Sequence, residues 1–371
     1  MEAEKKVVKI GAVGLGRGRY MLSYIANDDN VKVTAVCDKN PEAIKATHKM
    51  LKENNSIDPS EYESFESYEE FLKSDVDAVY ICTDAPLHTE QVIMALEAGK
   101  HVLEEVPAVQ TVEEAKALKA AVSAHPDLTF MFAENVCYVA NIQTWKKMYD
   151  DGEFGDVVLA EAEYIHTFDY KNYYDEDGNL KPVKETWRTY HPAIHYLTHS
   201  LGPLLYIMND RCVSVSCFES DIQYNPNKKV SANAVAIMKT EKGAIIRINI
   251  IFGAYAGFDH NFRIIGTRGS IMTDPTKAWE KANSFAQLSS IPGTFETKME
   301  IPVAISYPGE SDLQGHGGCD VVTFRKFIEC IVKGKKPELD IDFAINASLP
   351  GTIAHISAEN GGNALEIPVI D

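Results

Sequence analysis

An apolar, β-branched run near the amino terminus breaks into closely spaced glycines, and this feature constrains the fold most strongly. The run Val7 to Val13 is followed by Gly14, Gly16 and Gly18. A second strand-like run, Val31 to Cys37, ends in Asp38. A strand that turns through glycines into a helix lets backbone N–H groups meet a pyrophosphate, and an acid about 20 positions on binds the adenosine ribose. The pattern therefore predicts a dinucleotide-binding βαβ unit.

The glycine pattern is imperfect, because the third glycine position counted from Gly14 holds Arg19. An ordinary strand-to-helix turn is the alternative, and the placement of Asp38 favours the nucleotide. An acid there would repel the 2′-phosphate of NADP, so NAD is the predicted cofactor, and the adjacent Lys39 leaves use of both open. Arg17, inside the turn, is included among the predicted cofactor-binding residues.

Up to about Phe132, short apolar runs alternate with helical stretches, which is the βαβ rhythm of a parallel sheet. After Gly155 the chain changes to longer, alternating strands that are typical of a sheet with one covered face. A helix is predicted over Tyr190 to Met208. The predicted fold class is α/β: a doubly wound parallel Rossmann domain over residues 1–135, then an α+β substrate and oligomerisation domain with a large, mostly antiparallel sheet over residues 136–371.

Charge and length limit the function classes. The chain has 371 residues and a formal net charge of −18. It shows no cluster of Lys and Arg that could follow a phosphate backbone, so neither nucleic acid nor an anionic membrane is an expected partner. The first residues lack the apolar core of a signal peptide, and no run is long enough to span a bilayer. We expect a cytoplasmic protein that acts on a small molecule.

Further cofactor contacts are expected where the predicted strands end, because a nucleotide crevice lies at the carboxyl ends of parallel strands. Thr83 and His88 follow the strand that ends at Cys82, with a helix cap as the alternative role for this loop. Glu105 and Pro107 end the next strand, where the proline is expected to form a sharp turn beneath the nicotinamide, with a cis peptide bond as one option.

Catalytic groups are expected in the second domain, since hydride transfer from a hydroxyl needs a group that takes its proton. Period-two geometry on the strand Val157 to His166 places Tyr164 and His166 on one face. Within the predicted helix, Tyr196 lies three residues before His199. A purely structural histidine is the alternative, and a Tyr with two His in one turn favours catalysis for His199.

A metal site is the weaker hypothesis. His195 and His199 have the i, i+4 spacing of a metal pair, and His166 would be the third ligand. The glutamate of an H-E-x-x-H motif is missing. The prediction is therefore no metal.

Taken together, these residues resemble the Gfo/Idh/MocA family of NAD(P)-dependent sugar and polyol oxidoreductases over essentially the whole chain. Many members carry E-K-P where this chain has Glu105-Val106-Pro107, and D-x-x-x-H where it has His195 and His199. Both departures argue against a simple dehydrogenase. They make the chain similar to the branch of NAD-dependent α-N-acetylgalactosaminidases. Short sequence motifs of that branch are matched at residues 134–138, 164–166, 187–189, 198–203 and 316–320.

The resemblance implies a catalytic set that surrounds a sugar, made of Glu134, Tyr164, His166, Tyr196 and His199. It implies redox-assisted glycoside cleavage, in which C3 of the sugar is oxidised, the proton at C2 is removed, the aglycone leaves and water adds. The alternatives are a plain NAD-dependent dehydrogenase of a sugar, inositol or glycoside, and an NAD-binding regulatory protein without turnover. A homo-oligomer, dimer or tetramer, is expected from an exposed face of the second sheet.

Overall fold

The computed structural model describes residues 6–167, 174–181, 185–223, 228–277, 283–302 and 315–371. Contacts divide these residues into two compact units. The first contains residues 6–135, 315–345 and 370–371, and the second contains the rest. Residues 315–345 thus belong to the first unit, although the predicted substrate domain includes everything after residue 135. The division into functional domains stays a prediction.

The first unit is built from strands alternating with helices. Its strands are β1 (Val8–Val13), β2 (Val31–Cys37), β3 (Glu63–Phe65), β4 (Ala78–Ile81), β5 (His101–Glu104) and β6 (Phe130–Phe132). Its helices before residue 135 are α1 (Leu15–Ile25), α2 (Pro41–Asn55), α3 (Tyr68–Leu72), α4 (His88–Glu97) and α5 (Val112–Ala124).

The strands of this unit form a parallel sheet in the order β3-β2-β1-β4-β5-β6. This order reverses direction at β1, as in doubly wound dinucleotide folds, where ligands bind beyond the carboxyl ends of the strands. Local signals start the helices: Asn40 caps α2 through the N–H of Glu42, and Thr111 with Glu114 forms a capping box on α5. The predicted Rossmann architecture is confirmed.

The second unit follows residue 135. Its strands are β7 (Val157–His166), β8 (Cys212–Ser220), β9 (Asn233–Thr240), β10 (Ile245–Ile251), β11 (Phe258–Asp259), β12 (Phe262–Gly266), β13 (Gly269–Thr273), β14 (Ser284–Leu288), β15 (Met299–Ile301) and β16 (Leu365–Glu366). The remaining helices are α6 (Ala140–Asp150), α7 (Trp187–Tyr190), α8 (Thr198–Met208), α9 (Cys319–Lys333) and α10 (Ile341–Glu359). Of these, α9 and the first residues of α10, 341–345, belong to the first unit.

The second sheet runs β15-β14-β13-β12-β7-β10-β9-β8-β16, with β11 also paired to β7. Its described pairs are antiparallel except that of β7 with β10. Alternate residues of β10 are buried: Ile246, Ile248 and Ile250 are inaccessible to solvent, whereas Arg247 between them is exposed. One covered face and one open face result, and the predicted large, mostly antiparallel sheet is confirmed.

The single helix predicted over Tyr190 to Met208 is wrong. Helix α7 ends at Tyr190, a 3₁₀ segment covers Ala193–Leu197, and α8 begins at Thr198. His191 between them is extended, with φ −95° and ψ 115°. The cause is Pro192, because the ring of a proline disfavours the α conformation of the residue before it.

No helix in the described part of the chain is both long and apolar enough to cross a bilayer.

Candidate functional site

The glycine-rich turn after β1 combines tight packing with open space. Gly14 has a φ of +86°, and a Cβ there would lie 2.5 Å from the carbonyl oxygen of Cys82. A Cβ on Gly18 would lie 2.8 Å from the Cys82 Sγ, whereas one on Gly16 would meet no atom within 4 Å. Gly14 is therefore required by the backbone of Cys82, just after β4, and Gly18 packs closely on the Cys82 side chain. Gly16 leaves the start of α1 accessible, and this cradle fits the pyrophosphate of a dinucleotide.

Asp38 stands beside this turn at the end of β2. Its Oδ2 accepts a hydrogen bond from the N–H of Leu15 at 2.7 Å, and its Oδ1 accepts one from the N–H of Asn40 at 2.8 Å. A carboxylate offers about four acceptor positions, so these two bonds fix its orientation and leave capacity for ribose hydroxyls. Asp38 thus occupies the position of the ribose-binding acid in a dinucleotide-binding fold. Its binding of the adenosine ribose stays a prediction.

The loops after β4 and β5 are joined by a buried histidine. The ring nitrogens of His88 lie 3.0 Å from the carbonyl oxygen of Pro107 and 3.2 Å from that of Thr83. Burial lowers the pKa of His88. The peptide bond between Val106 and Pro107 is cis, as the sequence suggested. His88 thus holds the two loops together, and a direct contact of its ring with the cofactor stays a prediction.

Arg17 lies in a network of buried carboxylates. Its Nε donates to Glu105 Oε1 at 2.6 Å, and its Nη2 donates to Asp320 Oδ1 at 2.9 Å. Glu105 also accepts the hydroxyl of Tyr80, and Asp320 accepts the amide of Asn135 at 2.6 Å. The guanidinium predicted to bind the cofactor is thus paired with two carboxylates. Its role toward a phosphate stays a prediction.

Charge within this network fixes the ionisation of both acids. Burial opposes ionisation of Glu105, but the charge of Arg17 and the hydroxyl of Tyr80 hold its pKa below the usual range. Burial likewise opposes ionisation of Asp320, and hydrogen bonding from His316 with the charge of Arg17 brings its pKa to about 2. Both side chains are therefore carboxylates at neutral pH.

In the second unit, aromatic rings surround Tyr164 on β7. The centroid of its ring lies 5.7 Å from that of His166 and 5.5 Å from that of His199. Phe252, Phe258 and His260 also belong to the cluster, with ring centroids 5.5, 5.7 and 4.9 Å from that of Tyr164. Tyr164, His166 and His199 are half-buried. The sequence-predicted pair on the strand and the histidine of α8 thus meet, in surroundings suited to binding the face of a sugar ring.

Tyr196 reaches the same cluster from the 3₁₀ segment. Its ring centroid lies 5.5 Å from that of Phe252 and 6.3 Å from that of His199. Its hydroxyl accepts a hydrogen bond from Arg188 of α7, and the Arg188 guanidinium lies 4.3 Å from the centre of the Trp187 ring. The positive charge of Arg188 is therefore held beside the phenol of Tyr196, which the sequence analysis predicts to be catalytic.

His195 and His199 do not share surroundings. The ring of His195 contacts His191 and His355, at centroid distances of 4.9 and 5.8 Å. Burial, with the charges of His355 and Lys228, lowers its pKa to about 3. Because the helix is broken, the i, i+4 argument for a metal pair does not apply. Among the described residues, no three His, Cys, Asp or Glu side chains are arranged to hold a metal ion.

Glu134 of the first unit follows β6 and is inaccessible to solvent. The carboxylate is thus positioned by the same sheet edge as Glu105 and Asn135. Its role in catalysis stays a prediction.

Several residues of these clusters were missed from the sequence. Phe252, Phe258 and His260 come from segments far from Tyr164 in the chain, and no local pattern marks them. Asp320 carried a weak signal, because a histidine and two glycines precede it at the start of a helix.

Three family models match the chain, and the second and third overlap. The oxidoreductase family with an NAD-binding Rossmann fold, Gfo/Idh/MocA, matches residues 5–132, and the Gfo/Idh/MocA C-terminal domain matches residues 142–272. The C-terminal domain of glycosyl hydrolase family 109 matches residues 219–370.

Curated relatives cover nearly the whole chain. A glycosyl hydrolase family 109 protein of Phocaeicola vulgatus is 24% identical, over 98% of this chain and 73% of its own length. Another from Solibacter usitatus is 27% identical, over 97% of this chain and 87% of its own length.

Solved structures share the fold. Levoglucosan dehydrogenase in complex with NADH and levoglucosan matches with a TM-score of 0.81 at 18% identity, over 98% of this chain and all of that one. Scyllo-inositol dehydrogenase of Lactobacillus casei, with NAD(H) and scyllo-inositol, matches with a TM-score of 0.75 at 18% identity, over 98% of this chain and 99% of that one. With a Rossmann family model matched in its first part and a C-terminal domain model in its second, the chain is similar to the Gfo/Idh/MocA oxidoreductases and to their glycosyl hydrolase family 109 branch.

Proposed function

We propose that the protein is an NAD-dependent enzyme that cleaves a glycoside by a redox-neutral cycle starting at C3 of the sugar. The observation that carries this proposal is the ring cluster around Tyr164, which gathers His166 and His199 on a unit similar to glycosyl hydrolase family 109. Ordinary glycoside hydrolysis would need two carboxylates flanking the bond. The ionisable groups among the described residues of this cluster are imidazoles and phenols instead.

The chemistry assigns distinct proton transfers to these groups. Bound NAD⁺ would supply a reversible hydride acceptor for C3, and the glycine turn with Asp38 is the fitting place for it. His199 takes the proton of the C3 hydroxyl, and the resulting ketone acidifies the proton at C2. Tyr164 removes that proton, the aglycone leaves C1, water adds, and C3 is reduced again.

Neighbouring residues tune these two bases. A phenol with a pKa near 10 removes a proton at neutral pH only with help from nearby charge or hydrogen bonds. His166 and His199 lie against the ring of Tyr164 and are the groups in place to supply that help. Tyr196, held by Arg188, and Glu134 are assigned supporting roles in which they orient or tune these bases.

The test is to incubate the protein and NAD⁺ with nitrophenyl glycosides of several sugars while following nitrophenol and reduced cofactor together. We expect nitrophenol without net accumulation of NADH, and solvent deuterium at C2 of the released sugar. His199→Ala and Tyr164→Phe should each lower turnover by about 10²- to 10⁴-fold while NAD⁺ binding persists. Release of nitrophenol without deuterium at C2 would reject the elimination.

A second candidate is a dehydrogenase that oxidises a sugar, inositol or glycoside at C3 and releases NADH. The likeness of the fold to levoglucosan and scyllo-inositol dehydrogenases supports it. In the same assay this activity gives NADH in proportion to sugar oxidised and no nitrophenol. Binding of NAD⁺ with no change in any sugar would instead indicate a regulatory protein.

We also propose that the chain forms a homo-oligomer through the open face of the second sheet. Val235, Ile237 and Ile245 on β9 and β10 expose between 40% and 53% of their surface. Contiguous apolar side chains on an open sheet face are typical of a contact between protein chains.

A further inference from the structure

Lys39 is a cation placed where the first unit must distinguish NAD from NADP. It directly follows Asp38, which comes after the last residue of β2. In doubly wound folds an acid here binds the 2′-hydroxyl of NAD, whereas a nearby cation accommodates the 2′-phosphate of NADP. The partner of Lys39 within the first unit therefore bears on which dinucleotide is bound.

An acid from another strand end faces this lysine. Asp84 follows β4, and its Oδ2 lies 4.0 Å from the Nζ of Lys39. Strands β2 and β4 pair with opposite edges of β1, so the two side chains meet from either side of the strand that carries the glycine turn. The dinucleotide of a doubly wound sheet binds at this point of the carboxyl edge.

Asp84 is not used by its own turn. It stands immediately before the 3₁₀ segment Ala85–Leu87, a position at which an aspartate commonly accepts a hydrogen bond from a following backbone N–H. Its side chain makes no such capping bond. The carboxylate is 50% exposed and is directed to the ammonium group of Lys39 instead.

The two arginines of the glycine turn have other partners. Arg17 is bound by two carboxylates, as described above. Arg19 donates to the carbonyl oxygen of Leu15 at 3.2 Å, and its guanidinium lies 4.9 Å from the centre of the Tyr20 ring. Lys39 is thus the cation next to the ribose-binding acid, and Asp84 is the group that competes for it.

We propose that Asp84 is a specificity-determining residue, which disfavours NADP by pairing with Lys39. This inference rests on the proposed function, which requires a bound nicotinamide dinucleotide. A 2′-phosphate brings roughly two negative charges to the side of Asp38, and Lys39 must leave Asp84 to compensate them. NAD carries a hydroxyl at that position, so its binding requires no such exchange of partners.

The test compares the wild type with Asp84→Asn, Lys39→Met and the double variant. NADH fluorescence measures the affinity for NADH, and displacement of bound NADH by NADP⁺ measures the weaker affinity. Asparagine keeps the size of the aspartate and removes its charge. We expect Asp84→Asn to tighten NADP⁺ binding by about three- to fivefold, because exposed ion pairs are weak, and to leave NADH binding within about 1.5-fold.

The double variant shows whether Asp84 acts through Lys39. With methionine at position 39, the change of Asp84 to asparagine should alter NADP⁺ affinity by less than about 1.5-fold. An equal gain in both backgrounds, no gain in either, or a wild type that binds NADP⁺ as tightly as NAD⁺ would overturn the proposal.

The matched control is Asp75→Asn. Asp75 forms an ion pair of the same kind with Lys9, at 2.6 Å, but at the amino ends of the same strands β1 and β4. This variant should leave both affinities unchanged. A gain in NADP⁺ affinity equal to that of Asp84→Asn would show a general effect of net charge and would also overturn the proposal.

Failure of the proposed function has a different signature. A wild type that binds neither dinucleotide rejects the cofactor site, and the inference with it. A wild type that binds NADH but fails the nitrophenol and deuterium tests rejects the glycoside reaction alone. If it passes those tests and Asp84→Asn binds NADP⁺ no better, only the role of Asp84 is rejected.

Discussion

At the scale of single residues, His260 holds the catalytic candidates in place. It is 2% exposed, its Nε2–H donates to the carbonyl oxygen of His199 at 3.0 Å, and its ring is 4.9 Å from that of Tyr164. It therefore fixes the backbone of one proposed base and the ring of the other. We regard it as a positioning residue.

The first prediction concerns this hydrogen bond. His260→Leu should lower kcat by about ten- to a hundredfold with a small change in KM, because slight misplacement of a catalytic group is costly. His260→Gln should recover most of the rate, since its amide donates from nearly the position of Nε2. His125→Leu is the control, because His125 also bonds a backbone carbonyl, that of Ala121. Equal loss in the Leu and Gln variants would contradict the positioning role.

His195 gives a prediction about stability and pH. Its pKa is about 3 in the folded protein, against 6.5 ordinarily, because burial disfavours the charged ring. The unfolded chain therefore binds a proton below pH 6.5 that the folded chain does not, so stability falls as pH decreases from 6.5 toward 3. Between pH 7 and pH 5 the loss from this residue is about 2 kcal/mol.

The measurement is urea unfolding at pH 7 and pH 5 of the wild type and His195→Gln. The variant lacks the titrating ring, so its free energy of unfolding should fall less between the two pH values. If the two proteins lose equal stability, His195 does not carry this dependence.

At the scale of elements, the turn between β1 and α1 shows how neighbouring strands constrain a local motif. Gly14 is required by its positive φ and by the carbonyl of Cys82, whereas Gly16 faces open space. The sequence pattern treats these glycines alike, and the packing of Cys82, just after β4, distinguishes them.

This distinction predicts opposite phenotypes for two similar variants. Gly16→Ala should keep the melting temperature within about 2 °C, because its Cβ meets no atom, yet weaken NAD⁺ binding by about tenfold, since the methyl group occupies the approach of the pyrophosphate. Gly14→Ala should lower the melting temperature markedly through strain. Calorimetric titration and thermal unfolding of both variants check this. Normal NAD⁺ affinity in Gly16→Ala would show that the cofactor does not approach there.

The broken helix between Tyr190 and Thr198 is an element-scale result of a single residue. Because Pro192 extends His191, His195 turns toward His355 while His199 turns toward Tyr164. Helical spacing had placed both histidines on one face, and a local rule about the residue before proline would have separated them.

At the scale of the whole molecule, the open face of the second sheet predicts the assembly state. Ile237→Glu places a charge at the centre of the exposed apolar patch on β9 and should shift the protein toward monomer at micromolar concentration. Light scattering after size-exclusion chromatography measures the mass. Ile222→Glu is the control, because Ile222 is 85% exposed and follows the end of β8. An unchanged mass for Ile237→Glu would place any assembly contact elsewhere.

The sequence by itself determined the order of strands and helices, the parallel sheet and the residues at its strand ends, because periodicity, glycines and caps act over a few neighbouring positions. It also placed Tyr164 and His166 on one face, since alternation along a strand is a local property. Only the tertiary structure decided that Arg17 faces Glu105 and Asp320 and that His260 bonds the backbone of His199. Those partners lie between 61 and 303 positions apart, and local patterns carry no record of them.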